Sequence, residues 1–77
     1  MPHLNIKYFA PQWSEEKKEA LTQAFSAAVE EIIGCSKEVI SIAMEPVAEL
    51  DWKEKVYQGE IIDKKDFLTQ EPHYNLD

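Results

Sequence analysis

The residue of this sequence best suited to chemistry is Pro2, which directly follows Met1. Removal of Met1 would leave Pro2 as a secondary amine, the only proline nitrogen in the chain able to accept a proton. An α-amino group has an unperturbed pKa of about 8, and apolar surroundings disfavour its charged form. A neutral amine at physiological pH is a competent base for a proton next to a carbonyl group. Taken alone, a proline here is more often simply a tolerated second residue.

Few other side chains suggest chemistry. His3 and His73 have no further ligands at metal spacing, so we expect no metal site. Cys35 has no nearby histidine in the sequence, and an inert thiol is the default interpretation. It is also the only cysteine, which excludes an intrachain disulfide and fits a reducing compartment. Lys37, near the predicted second strand, is a candidate cation for an anionic ligand.

Charge and length exclude several classes of protein. Fifteen acidic residues outnumber eight lysines, the formal net charge is −7, and there is no arginine. Nucleic-acid binding needs a basic face, so we expect none, and a highly anionic substrate is disfavoured because arginine supplies the bidentate carboxylate clamp. The 77 residues predict a single domain, 1–77, with a marginal core. Without a leader or a membrane-spanning apolar run, we expect a soluble, cytoplasmic protein without membrane contact.

A long amphipathic helix is predicted over residues 15–33. Ser14 is a suitable N-cap, two glutamates follow in the first turn where they suit the helix dipole, and Gly34 is a natural residue to end the helix. Apolar residues recur at intervals of three or four and form one stripe: Leu21, Ala24, Phe25, Ala28, Val29, Ile32 and Ile33.

Strands are predicted on either side of this helix. Residues 3–9 alternate, and Pro11 then breaks the strand. Val39–Met44 is apolar on both faces, which is typical of a strand covered on both sides, and Pro46 ends or edges it. Strand, helix and strand in this order predict an α/β (α+β) fold, a short βαβ unit with parallel strands and a right-handed crossover.

The remaining residues are less regular. Residues 47–61 suggest a loop and a short strand or hairpin that turns at Gly59. Asp63 is a candidate cap for a short helix through Leu68, and residues 71–77 predict an irregular tail. One helix would leave the other face of a two-stranded sheet in water, so we expect a homo-oligomer in which a second copy covers it.

These features together resemble the 4-oxalocrotonate tautomerase family. The resemblance covers roughly residues 2–60: Met-Pro at the amino terminus, an immediate strand, a break, a long helix beginning Ser14-Glu15-Glu16-Lys17-Lys18-Glu19, and a second strand ending near Met44-Glu45-Pro46. It implies that Pro2 is a general base and acid that carries a proton between an enol oxygen and a carbon. It implies no cofactor.

The resemblance also suggests binding residues. The family's first substrate-binding arginine aligns with Gln12, or with Trp13 across a one-residue gap. A second arginine, reached from a neighbouring subunit, aligns with Ile40, and an aromatic residue of the pocket aligns with Trp52. Gln12 could instead belong to a solvated turn, Trp13 could staple the helix entry, and Trp52 could be plain core.

The departures from the family pattern decide the expected substrate and assembly. Because neither arginine is present, an enol of an aromatic or monocarboxylate 2-oxo acid such as phenylpyruvate suits Trp52, Phe9 and Trp13 better than a dicarboxylate. The family's glycine-rich hairpin is replaced by residues 53–59 and the chain is longer, which favours a dimer over a hexamer. The alternatives are a non-enzymatic interaction module with the same fold, and a dehalogenase or hydratase of the same superfamily.

Overall fold

Two parallel strands joined by a long helix form the centre of the molecule, which we describe from a computed structural model of Met1–Asp77. Strand β1 spans His3–Phe9 and strand β2 spans Ser41–Val47. The strands pair in register from His3 opposite Ser41 to Phe9 opposite Val47. Helix α1, Glu15–Ile33, connects them. The predicted parallel βαβ unit is confirmed.

Helix α1 has the predicted ends. The Ser14 hydroxyl accepts a hydrogen bond from the Lys17 amide at 3.1 Å, which satisfies one of the free donors of the first turn. Gly34 adopts the left-handed conformation at φ 83° and donates its amide to the Glu30 carbonyl at 2.9 Å. A residue with a Cβ atom would be strained in that conformation, so the glycine ends the helix at low cost.

The predicted bounds of the second strand are wrong at both ends. A 3-10 turn occupies Lys37–Val39, where the Ser36 hydroxyl accepts the Glu38 amide at 3.2 Å, so β2 begins only at Ser41. This local side-chain cap competes with strand pairing and delays the start of the strand.

Pro46 lies inside β2 and does not end it. The Ser41 amide donates to the Pro2 carbonyl at 3.2 Å, and the Val47 carbonyl accepts the Ala10 amide at 2.9 Å. Since alternate residues of a parallel strand turn their backbone groups to the same side, Pro46 turns its nitrogen to the open edge of the sheet. A missing N–H costs no ladder hydrogen bond there.

The predicted hairpin in residues 47–61 is also wrong, because the chain is helical there. Helix α2, Glu49–Trp52, continues without a break into a π-helix over Lys53–Ile62. The amide of Asp63 donates to the Gln58 carbonyl five residues earlier at 2.9 Å, which is the π-helical pattern. Gly59 therefore lies inside a helix and is not a turn.

Two ion pairs at helical spacing support this second helical segment. Asp51 and Lys55 approach to 3.6 Å, and Glu60 and Lys64 to 3.0 Å. Asp63 does not cap the next short helix as predicted. Its carboxylate accepts the Gln58 side-chain amide at 2.8 Å, and a 3-10 turn follows at Lys65–Phe67.

The two helical segments cover opposite faces of the sheet to different extents. On one face, α1 lies over β2 and forms an open groove with Ile42 and Met44. On the other, α2 and the π-helix cover the half of the sheet next to Phe9, where Lys7 meets Glu60 at 3.2 Å. The expectation of an entirely uncovered second face is therefore wrong for this half.

The buried core is small and lies at the same end. Its four buried residues are Tyr8, Val47, Val56 and Tyr57. Helix α1 contributes none of them, and the end of its predicted apolar stripe is exposed, with Ile32 at 82% and Ile33 at 62%. No helix of the molecule combines the length and the apolar character needed to cross a membrane.

Candidate active site at the amino-terminal end of β1

Pro2 is held at the start of β1 by its own carbonyl group. That oxygen accepts the Ser41 amide at 3.2 Å, and the Pro2 side chain is half-buried. Extending the strand register by one residue places Ile40 opposite Pro2. Ile40 has an extended backbone, and its amide donates to the Lys37 carbonyl at 3.1 Å. The fold thus brings together two of the predicted site residues, Pro2 and Ile40.

A polar pair that the sequence analysis did not select lies directly beside them. The His3 Nδ1 atom and the Ser41 hydroxyl are 2.6 Å apart, across the first register pair of the sheet. Both residues are exposed on the part of the sheet face that the second helical segment leaves open. They are 38 positions apart, so only the strand register could have identified the pair.

Lys37, the predicted cation, lies at this same end of the sheet. Its ammonium group is 3.9 Å from a Glu30 carboxylate oxygen, and its amide donates to the other oxygen at 3.3 Å. The Lys37 side chain is largely exposed. Glu30 therefore offsets part of its charge, and Lys37 is not a free counterpart of the missing arginine.

The other predicted residues lie at the opposite end of β1. Phe9 and Trp52 form an edge-to-face pair with ring centroids 4.8 Å apart. Gln12 is exposed in the loop that follows. Seven residues of strand at about 3.3 Å each separate Phe9 from Pro2 by about 23 Å. Within one chain, Phe9, Gln12 and Trp52 therefore do not meet Pro2.

Trp13 has a structural role at that end. Its ring stacks on Tyr8 with centroids 3.6 Å apart and planes 7° from parallel. Its amide donates to the Tyr8 hydroxyl at 3.0 Å, which gives this buried tyrosine a polar partner. Trp13 thereby ties the entry of α1 to strand β1, whereas a hydrophobic staple would pack it on the first turn of the helix.

Tyr74, in the irregular tail, is the main residue that sequence reasoning missed. Its hydroxyl accepts the Trp52 indole N–H at 3.1 Å, and its ring lies 5.8 Å from the ring of Tyr57. The tail over residues 71–77 is irregular, as predicted, but it is tied to the helical segment. No periodic pattern marks such a contact in the sequence.

No enclosed cavity surrounds Pro2 in the single chain. A small cavity of about 150 Å³ lies under the tail and is lined by residues of the π-helix and tail: Tyr57, Ile61, Ile62, Lys65, Leu68, Glu71, Pro72 and Tyr74. An open groove of about 580 Å³ runs between α1 and β2. Neither includes Pro2, so one chain alone does not enclose Pro2 in apolar walls.

The chain matches the family of tautomerase enzymes over residues 2–63 and therefore belongs to that family. The match begins at Pro2. Membership confirms the resemblance to 4-oxalocrotonate tautomerase-like proteins and implies tautomerase activity, which is an isomerase activity.

Individual relatives carry the same name. A tautomerase PptA of Enterobacter sp. (strain 638) is 32% identical over 76 residues, which cover 99% of this chain and 100% of the relative. A tautomerase PptA of Pectobacterium carotovorum subsp. carotovorum (strain PC1) is 31% identical over 75 residues, covering 97% and 99%. A probable tautomerase of Xylella fastidiosa (strain 9a5c) is 30% identical over 74 residues, covering 96% and 89%.

Proposed function

We propose that this protein is a cofactor-independent tautomerase that interconverts the enol and keto forms of an aromatic 2-oxo acid, with Pro2 as general base and acid. The observation that carries the proposal is the family match that starts at Pro2. In support, the hydrogen bond from the Ser41 amide to the Pro2 carbonyl fixes the residue at the end of a strand, so the mature amine has a defined position.

The proton balance of the reaction needs only this amine. After loss of Met1, the neutral Pro2 nitrogen accepts the proton of the enol hydroxyl. The enol C–O bond becomes the carbonyl, and the electron pair of the carbon–carbon double bond takes the proton back from the Pro2 ammonium. In the first transfer an O–H bond breaks and an N–H bond forms, and in the second that N–H bond breaks and a C–H bond forms, which regenerates the amine.

A second copy of the chain completes the site in this proposal. Pro2 and the Phe9–Trp52 pair lie about 23 Å apart along β1, so an aromatic wall reaches Pro2 only from another chain. Large apolar side chains are available for such an interface, since Ile32 is 82% exposed, Leu50 97% and Phe67 84%. We favour a homodimer, because the helical segment and tail replace the hairpin on which the family's hexamer depends.

The residues around the site favour an aromatic monocarboxylate. With no arginine in the chain, a second carboxylate would have no bidentate partner. Ile40 offers an apolar surface next to Pro2, and Phe9 and Trp52 offer aromatic surface for a ring. Gln12 is the proposed hydrogen-bonding residue from the second copy. The single free thiol, Cys35, fits the reducing cytoplasm as the location.

The decisive experiment measures ketonisation of the enol of phenylpyruvate by the wild-type protein and by Pro2→Ala, after intact-mass analysis has established the loss of Met1. We expect the substitution to lower kcat/KM by about 10²–10⁴-fold, the usual contribution of general acid–base catalysis. Circular dichroism of both proteins provides the control for folding. Equal rates would refute the proposal and favour an interaction module that keeps the fold without the activity.

A further inference from the structure

We propose that Tyr74 is a positioning residue for Trp52 and thereby sets the preference for an aromatic substrate, an inference that rests on the proposed function. The observation is the hydrogen bond from the Trp52 indole nitrogen to the Tyr74 hydroxyl at 3.1 Å. Tyr74 lies beyond the family match, which stops at residue 63. The tail thus adds a contact to a residue of the site.

Two contacts define the orientation of the Trp52 ring. Phe9 meets it edge-to-face, with ring planes 88° apart and centroids 4.8 Å apart. Tyr74 binds its only polar atom. An aromatic contact alone leaves the ring free to choose among several rotamers, whereas a directional hydrogen bond on the indole nitrogen selects one.

Tyr74 is itself held in place by the helical segment. Its ring lies against Tyr57, which is only 5% exposed. The next residue, Asn75, accepts the Tyr57 hydroxyl at 3.2 Å and the Asp77 amide at 2.8 Å. The tail is therefore anchored on the buried core beside Tyr74, and the hydroxyl that Trp52 meets has a fixed position.

This arrangement has a consequence for specificity. Because Tyr74 occupies the indole N–H, Trp52 has no donor left for a polar group of the substrate and presents only its ring. A ring selects aromatic over small aliphatic substrates through contact area and stacking. If the hydroxyl is removed, the indole can turn away and its N–H becomes free, so the aromatic preference should weaken.

The test compares wild type with Tyr74→Phe, which keeps the ring and removes only the hydroxyl. We expect the ratio of kcat/KM for the enol of phenylpyruvate to kcat/KM for the enol of 2-oxobutanoate to fall about three- to tenfold, the effect of one ordinary hydrogen bond. The fluorescence emission of Trp52, measured in a Trp13→Phe background with this residue as the only tryptophan, should shift as well.

His73→Ala is the matched control, because it changes an exposed neighbour of Tyr74 in the tail and removes neither the Trp52 contact nor the Asn75 anchor. We expect it to change the substrate ratio less than twofold. The inference is overturned if Tyr74→Phe leaves both ratio and emission unchanged, or if His73→Ala lowers the ratio as much. Those results would leave the proposed function intact as long as Pro2→Ala abolishes activity, whereas full activity of Pro2→Ala would refute both.

Discussion

The two ends of strand β1 differ in what surrounds them. At the Phe9 end, Tyr8 and Val47 are buried, Trp13 stacks on Tyr8, and Trp52 packs on Phe9. At the Pro2 end, Pro2 is only half-buried and its neighbours His3 and Ser41 are exposed. The core packs at one end of the strand, and the proposed catalytic residue lies at the other.

This difference explains why, in the proposed function, Pro2 needs a second chain. A base whose pKa must fall towards neutrality needs apolar surroundings. The four buried residues of the chain lie at the other end of β1 and do not surround Pro2. The second copy proposed above would bring the packed end of one β1 to the open end of another.

The largest expected effect comes from placing one defect at each end. Pro2→Ala and Trp52→Leu should each lower activity as pure proteins, the first by at least about 10²-fold and the second by about tenfold. When equal amounts are refolded together, about half of the dimers should contain one chain of each variant. Each such two-fold symmetric heterodimer has one intact site out of two, so about a quarter of the wild-type number of sites should be recovered. Ketonisation rates before and after mixing provide the measurement.

The same mixture can contradict the comparison. A site contained within one chain predicts only the average of the two separate activities, with no gain on mixing. Size-exclusion chromatography of the mixture serves as the control that assembled protein is present. An average rate from assembled protein would show that the two ends do not work together.

The next effect concerns stability and compares two residues of the second helical segment. Val56 is 6% exposed and packs in the core, whereas Leu50 is 97% exposed. We expect Val56→Ala to lower the free energy of unfolding by about 2 kcal/mol, through lost burial and a residual cavity. Leu50→Ala should stay within about 0.5 kcal/mol of wild type.

Urea denaturation at low protein concentration measures both changes. If Leu50→Ala lowers the free energy of unfolding as much as Val56→Ala, but only at high protein concentration, Leu50 lies in the interface between copies. The reason is that assembly stabilises the folded state by mass action. Equal small effects for both variants would show that the Phe9 end is not the packed end.

The smallest expected effect depends on pH. Lys64 and then Lys7 donate hydrogen bonds to Glu60 and hold the pKa of this carboxyl below its usual value of 4.5. A lowered pKa in the folded state means stability that is present above pH 4.5 and lost as the pH falls through the lowered pKa. As the Glu60 side chain is more than a third exposed, we expect this contribution to be below about 1 kcal/mol.

Thermal melts of wild type and Glu60→Gln between pH 7 and pH 3 test this contribution. The two melting temperatures should differ most near neutral pH and converge under acid conditions. Lys7 belongs to β1, so its ion pair with Glu60 ties the strand to the helix. If the two melting temperatures differ by the same amount from pH 7 to pH 3, this ion pair does not stabilise the fold as described.

Much of the fold could be predicted because its signals are local. Ser14 and Gly34 mark the ends of α1 through their own cap geometry, and alternation marks β1. The bounds of β2 could not be predicted in the same way. They depend on which residues face β1, and Pro46 stays inside the strand because the register turns its nitrogen to the open edge of the sheet.

The second helical segment was mistaken for a hairpin for a related reason. Glycine is common in turns, and Gly59 therefore favours a hairpin in the sequence. The apolar residues around it nevertheless have helical spacing: Trp52, Val56, Tyr57 and Ile61. Burial of Val56 and Tyr57 outweighs the cost of a glycine in a helix, about 1 kcal/mol. Packing therefore overrode the local preference.

The order of strand, helix and strand, the family resemblance and Pro2 as the candidate catalyst can all be read from the sequence, because each depends on residue type and near neighbours. Folding in three dimensions places Pro2 and Trp52 at opposite ends of β1, pairs Ser41 with His3, and brings Tyr74 to Trp52. Contacts between residues far apart in the chain follow from register and packing, which no local pattern encodes.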